Sequence, residues 1–269
     1  MLQFKVLGPL EVLDEGRMCT PTPPKVRRVL ALLLLSANQV VPTDAVIEEL
    51  WGEDPPLSAI GTAQTYIYQL RKGLDRRQPA EGGEWLLTKP PGYLMAVSPS
   101  QVDVVAFENL SRHGRLLLET GRPEEAGHVF RRALDLWNGP CLANVGLGRL
   151  LQSHAVHLED QRMRTLELRI QADAEIGRHR ELVGEMRSLV VSHPLNEWFH
   201  GQLIVALSRS GRRGEALQAY QNLREVLGTQ LGLDPPHDMQ VLQREVLTNG
   251  TSSGNVFRPY LRRTASLAS

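Results

Sequence analysis

Apolar positions along the first hundred residues change period several times, and each change marks an element. Phe4 and Val6, then Leu10 and Val12, alternate around Gly8-Pro9, which predicts a short antiparallel sheet over residues 2–20. After the breaker TPTPP, the run KVRRVLALLLLSA (25–37) is strongly apolar and predicts a buried helix with Arg27 and Arg28 in its first turns. TDAVIEELW follows, with Thr43 suited to cap a helix and Gly52 to stop it. EDPPLS makes a turn, and Ser58 can cap the next helix, GTAQTYIYQLRKGLD. There Ala63, Ile67, Leu70 and Leu74 form one stripe at spacings of four, three and four. WLLTKPPGYLMAV, two apolar runs about Pro90, Pro91 and Gly92, predicts a hairpin.

From Asp103 to Leu247 the period is helical throughout. Three segments align without gaps: TGRPEEAGHVFRRAL from 120, IGRHRELVGEMRSLV from 176 and SGRRGEALQAYQNLR from 210. Each carries Gly-Arg, an acid four positions after its Gly, a small or aliphatic residue next, and a bulky one nine after the Gly (Phe130, Met186, Tyr220). Gly177 and Gly211 stand one tetratricopeptide period apart, about 34 residues, and Pro194 falls at the repeat-ending proline. The first segment is offset further by the insertion around GPCLANVGLGRLLQSHAVHLEDQ. Repeat domains of this kind bind proteins or pack on a neighbour.

Length and composition then set the organisation. The 269 residues, 42% of them hydrophobic, suffice for two packed domains: 1–97, and 98–248 with a polar tail at 249–269 that has no core-forming pattern. No run approaches the roughly eighteen apolar residues of a membrane span, and the start lacks the features of a signal peptide, so the expected location is the cytoplasm, on the nucleoid, with no membrane contact. Cys19 and Cys141 are too far apart to frame a disulfide scaffold and read as reduced thiols. His154 and His157 lie three apart without a third ligand, so no metal site is expected. No phosphate-binding GxxxxGK[ST], no G-x-S-x-G and no catalytic cysteine context occurs; an enzyme is not expected, and no cofactor is called for.

The second face of the 61–75 helix is the chemically informative one. Thr62, Thr65, Tyr66, Tyr68, Gln69, Arg71 and Lys72 lie off the apolar stripe, where a solvated face would be rich in Glu and Lys. Helix, turn, helix, then hairpin is the layout of a winged helix-turn-helix, whose last helix enters the major groove. Tyr, Thr, Arg and Lys can donate to phosphates, and Gln can read a base edge. Net charge is zero, so any nucleic acid must be met by a local patch. Arg71, Lys72, Arg76 and Arg77 supply one against Asp75, while Asp44, Glu48, Glu49, Glu53 and Asp54 sit on the middle helix and its turn. The fold class is mainly α: an N-terminal α+β winged helix-turn-helix followed by an all-α tetratricopeptide-like helical repeat domain.

FKVLGPLEV, RRVLALLLL, ELWGEDPP, TYIYQLRKGLD, PPGYLMAV and VDVVAFENL, in this order and spacing, resemble the successive segments of the Streptomyces antibiotic regulatory protein family, activators of secondary-metabolite gene clusters, and the likeness extends to about residue 248. The resemblance implies a small-type member without the ATPase module of larger ones. It implies base-facing positions at Thr62, Thr65 and Gln69, phosphate-facing ones at Tyr66, Tyr68, Arg71 and Lys72, and wing positions at Thr88, Lys89 and Tyr93; Arg27 and Arg28 are further phosphate candidates. Implied partners are double-stranded promoter DNA carrying direct repeats near the −35 element, a second protomer beside the first, and RNA polymerase holoenzyme through its sigma factor and alpha C-terminal domain. The near-neutral first domain keeps open an adaptor whose winged helix binds protein instead.

Overall fold

The computed structural model describes residues 2–74 and 84–248. Arg76 and Arg77 of the expected basic patch, Asp75 beside them, and the tail 249–269 lie outside the described residues. The chain divides into two compact units, one running through Leu116 with His128–Leu166 added, the other formed by Leu117–Gly127 with the chain from Glu167 on.

The first unit opens with an antiparallel sheet of β1 (Leu2–Lys5), β2 (Glu11–Asp14) and β3 (Arg17–Met18), in that order. Leu2 and Phe4 point into the core while Gln3 and Lys5 stay exposed, as period-two alternation requires. Next come α1 (Pro24–Leu35), β4 (Val40–Pro42), α2 (Thr43–Trp51), α3 (Ala59–Leu74), β5 (Leu86–Lys89) and β6 (Gly92–Met95). α1 packs on α2, α3 and β6, which explains why Val29 through Leu34 are all buried in it. The second sheet has the order β4-β6-β5. β4 is absent from the sequence-based expectation because three residues, VVP, carry no period; it is a strand only because Val40, Val41 and Pro42 pair with Leu94, Tyr93 and Gly92.

Thr43 departs from its expected role. Pro42 occupies the cap position of α2 and no side chain caps the helix. The Thr43 hydroxyl instead donates to the Pro91 carbonyl at 3.1 Å, and its amide to the same oxygen at 3.2 Å, so the residue ties the helix start to the hairpin turn.

Packing runs straight through residue 97. After a short 3-10 turn at Pro99–Gln101 come α4 (Asp103–Glu119), α5 (Pro123–Leu134) and α6 (Arg149–Glu175). Phe107, Trp137, Leu142, Val145 and Leu151 share one buried cluster with the β1–β2 residues and with α1 to α3. The loop before α6 also bonds to the β1–β2 turn: Asn138 N donates to Leu7 O (2.8 Å), and the Asn144 side chain accepts from Leu10 N (2.7 Å) and donates to Leu10 O (3.2 Å).

Asp103, at the start of α4, accepts from Val6 N at 2.9 Å and from Leu7 N at 3.1 Å. Burial nevertheless pushes its carboxyl up to about 6, against the opposing pull of those backbone donors. A carboxyl whose folded value lies above its unfolded one takes up protons preferentially in the folded state, so stability should rise as pH falls from about 6 toward 4. Urea unfolding of the protein and of Asp103→Asn across this range checks it: the wild type should gain on the variant as pH drops, and parallel curves would refute the assignment.

The second unit holds the C-terminal third of α6 with α7 (His179–Ser192), α8 (Glu197–Arg209), α9 (Arg213–Leu231) and α10 (His237–Leu247), consecutive helices packing from α7 onward. The aligned Gly-Arg pairs end helices identically. Gly121, Gly177 and Gly211 have φ of 73°, 81° and 77°, a left-handed conformation that glycine adopts without a Cβ penalty. Each amide turns back to the helix it terminates: Gly121 N to Leu118 O and Arg122 N to Leu117 O, Gly177 to Ala174 and Arg178 to Asp173, Gly211 to Ser208 and Arg212 to Leu207, at 2.9–3.1 Å. This is the two-bond Schellman cap. The acid that follows meets the arginine at 2.6 Å (Arg122–Glu125), 3.9 Å (Arg178–Glu181) and 2.7 Å (Arg212–Glu215). Ala126, Leu182 and Ala216 are buried next to it, as are Phe130, Met186 and Tyr220 one turn on.

Candidate nucleic-acid interface

α3 divides as its pattern requires. Ala63, Ile67, Leu70 and Leu74 are buried and pin the helix to α1 and α2, leaving Thr65, Tyr68, Gln69 and Lys72 exposed. Tyr68 is 63% exposed, a large aromatic that no core claims. Thr65 donates its hydroxyl to Gly61 O at 2.9 Å, leaving its oxygen lone pairs outward. Thr62 lies half-buried with its hydroxyl 3.5 Å from that of Ser58. Tyr66 is half-buried and packs on the core edge, so its ring serves the fold as well as the surface.

Arg71 is half-buried at the end of α3 and reaches the wing: Nε donates to Leu86 O at 3.0 Å and Nη2 to Thr88 Oγ1 at 2.6 Å. Thr88 and Lys89 are exposed at the end of β5. At the start of β6, Gly92 lies so close to β4 that a Cβ there would stand 1.9 Å from the Val41 carbonyl oxygen.

Three expected contact residues lie elsewhere. Tyr93 is 7% exposed and belongs to the core cluster, on the strand of the second sheet that packs against α1. Arg28 is half-buried and turns to α2, donating to the Glu49 carbonyl at 3.3 Å, and Arg27 is half-buried with its Nε buried.

The charge balance also resolves in three dimensions. Glu48 pairs with Arg149, and Glu49, 1% exposed, accepts from Gly148 N (2.6 Å), Leu150 N (3.0 Å) and Leu151 N (3.1 Å), the amides that open α6. These acids of α2 are therefore engaged in packing, and α3 itself carries Arg71 and Lys72 with no acid. Sequence reasoning did not single out Glu49. Its signal was a glutamate beside Val46 and Leu50 on the apolar stripe of an amphipathic helix. Among the described residues no group of three or more His, Cys, Asp or Glu is placed to hold a metal ion, and no helix is long and apolar enough to cross a membrane.

A winged helix-turn-helix joined to capped helical hairpins is the architecture of a transcriptional regulator. Residues 19–95 match the family model "Transcriptional regulatory protein, C terminal" and residues 102–247 match "Bacterial transcriptional activator domain". The chain belongs to the Streptomyces antibiotic regulatory protein family. It is 40% identical over 252 residues to the regulatory protein DnrI of Streptomyces peucetius, covering 91% of this chain and 92% of that one. Against the transcriptional regulator RedD of Streptomyces coelicolor the identity is 31% over 247 residues, covering 91% and 70%. The solved structure of Mycobacterium tuberculosis EmbR in complex with a low-affinity phosphopeptide superposes with a TM-score of 0.87 at 29% identity, covering 97% of this chain and 68% of that one.

Proposed function

We propose that the protein is a pathway-specific activator of a secondary-metabolite gene cluster that binds direct repeats near a promoter −35 element and recruits RNA polymerase holoenzyme. The observation that carries this reading is the exposed face of α3, where Thr65, Tyr68, Gln69 and Lys72 share one side of a helix fixed by its buried stripe, with Lys89 exposed on the wing that Arg71 ties to it. Gln69 and the threonines are of the type that reads base edges; the lysines and Tyr68 suit phosphates. Two protomers would sit head to tail on a direct repeat, one recognition helix per half-site.

The repeats supply the surface for polymerase. α7, α8 and α9 enclose a groove of about 350 Å³ with Val190, Leu203, Leu207 and Ala219 on its floor and the Arg187–Glu215 pair at its rim. Sigma factor and the alpha C-terminal domain are the partners this reading assigns.

Mobility shift of the full chain on DNA upstream of its neighbouring biosynthetic operon, titrated with salt, tests the proposal. Affinity should fall steeply with salt as the lysines release counterions. Gln69→Ala should cost about 1–3 kcal/mol and relax preference at one base pair. Absence of any retained fragment at low salt would instead assign the winged helix to a protein partner.

A further inference from the structure

The phosphate-facing role that the family pattern implies for Arg71 fits its surroundings poorly. Its guanidinium is half-buried and held at two points, Nε on Leu86 O (3.0 Å) and Nη2 on Thr88 Oγ1 (2.6 Å). Both acceptors belong to β5, which pairs with β6 on one side only and is the edge of its sheet. A planar fork with fixed donor directions, anchored at two points on one strand, sets both the distance and the rotation of that strand relative to α3. Two of its five N–H groups are thereby committed to β5, and swinging the side chain out toward a phosphate would release both bonds and expose an edge carbonyl. Lys72 and Lys89, by contrast, are exposed.

The hydroxyl of Thr88 makes the arrangement more than a brace. Oγ1 accepts the Arg71 proton, so its own proton is turned away from the cation, and Thr88 is exposed. A hydroxyl polarised by a guanidinium is a better donor than a free one.

Resting on the DNA-binding reading above, we propose that Arg71 is a positioning residue, which locks the wing to the recognition helix and presets the Thr88 hydroxyl as the donor to a backbone phosphate. Arg71 then acts on DNA through Thr88 and the angle of the wing, and the cationic contacts come from Lys72 and Lys89.

Binding of the full-length protein to one promoter fragment, measured against salt for Arg71→Ala, Thr88→Val, the double variant, Arg71→Lys and Lys72→Ala, separates the roles. Lys72→Ala should lower the slope of log affinity against log salt by about one. Arg71→Ala should lower affinity about tenfold, the scale of one charge-assisted bond, with the slope falling by much less than the one unit of Lys72→Ala. Arg71→Lys keeps the charge and the fold's cation but lacks the fork, so it should not rescue. The double variant should bind no more weakly than the weaker single, and a methylphosphonate at the wing-facing phosphate should abolish the effect of Thr88→Val. A slope reduced by about one in Arg71→Ala, rescue by lysine, or additive losses with Thr88→Val would each overturn the assignment. Salt-independent or absent binding by the wild type would strike the DNA-binding reading itself, a different result from any of these.

Discussion

Replacing Glu49 with alanine should destabilise the first compact unit by about 3–5 kcal/mol, from the loss of a buried carboxylate that caps three amides at the start of α6. Its carboxylate is 1% exposed and its charge is met by Gly148 N, Leu150 N and Leu151 N at 2.6–3.1 Å, the positive end of the 27-residue helix α6. Alanine leaves these donors facing a void lined by α2. Glu49→Gln keeps one acceptor but turns an amide group toward the other donors, so its loss should be intermediate. The site has no spare room: a Cβ on Gly148 would stand 2.6 Å from Glu49 Oε1 and 2.3 Å from its backbone oxygen, so Gly148→Ala should act in the same direction. Urea unfolding of the full chain, with the transition of the first unit followed by its buried Trp85 and Trp137, measures the loss. A change under about 1 kcal/mol would mean that water replaces the carboxylate at the helix start.

In the second unit Arg169→Ala should also be damaging, about 2–4 kcal/mol, because it strips one of two cations from a buried acid and empties a buried site. Arg169 is 6% exposed and Asp173 is 3% exposed; they pair at 3.2 Å one turn apart on α6, and Arg169 also pairs with Glu185 of α7. Arg178, in the Schellman cap, reaches Asp173 and Glu124 at 3.5 Å each, so the network joins α5, α6 and α7. Replacing Arg169 and Asp173 together by Met and Leu should restore most of the loss, since a buried ion pair repays its desolvation only narrowly while a half-pair does not repay it at all. Equal losses for the single and the double variant would show that the apolar contacts of the Arg169 stem carry the effect.

Much of the recognition helix was legible because helical amphipathicity is a local property. The spacing of Ala63, Ile67, Leu70 and Leu74 determines which side packs whatever it packs against, and all four are buried. The same holds for the repeats. A glycine two residues past a helix end, followed by arginine and then an acid three on, needs only its own helix to form a Schellman cap and an i,i+3 ion pair, and Gly121, Gly177 and Gly211 each do so.

Other features turned on contacts far along the chain. β4 exists through its pairing with β6 some fifty residues later, and Thr43 bonds to Pro91 across a similar separation instead of capping its helix. Lys89 and Tyr93 flank the turn of one hairpin, yet one is surface and the other core, because only the docking of the hairpin on α1 and β4 decides which side of it is covered.

The sequence by itself therefore determined the winged helix, the repeat period and the polar face of α3, since propensity, periodicity and capping act over a few residues and carry their signal wherever the segment lies. Only the tertiary structure decided that Arg71 grips the wing, that Arg28 turns inward, and that Glu49 and Asp103 join residues about a hundred positions apart. A charged side chain in a sequence shows its chemistry but not its neighbours. Whether it meets water, a phosphate or a row of buried amides depends on which distant backbone the fold brings within three ångströms of it.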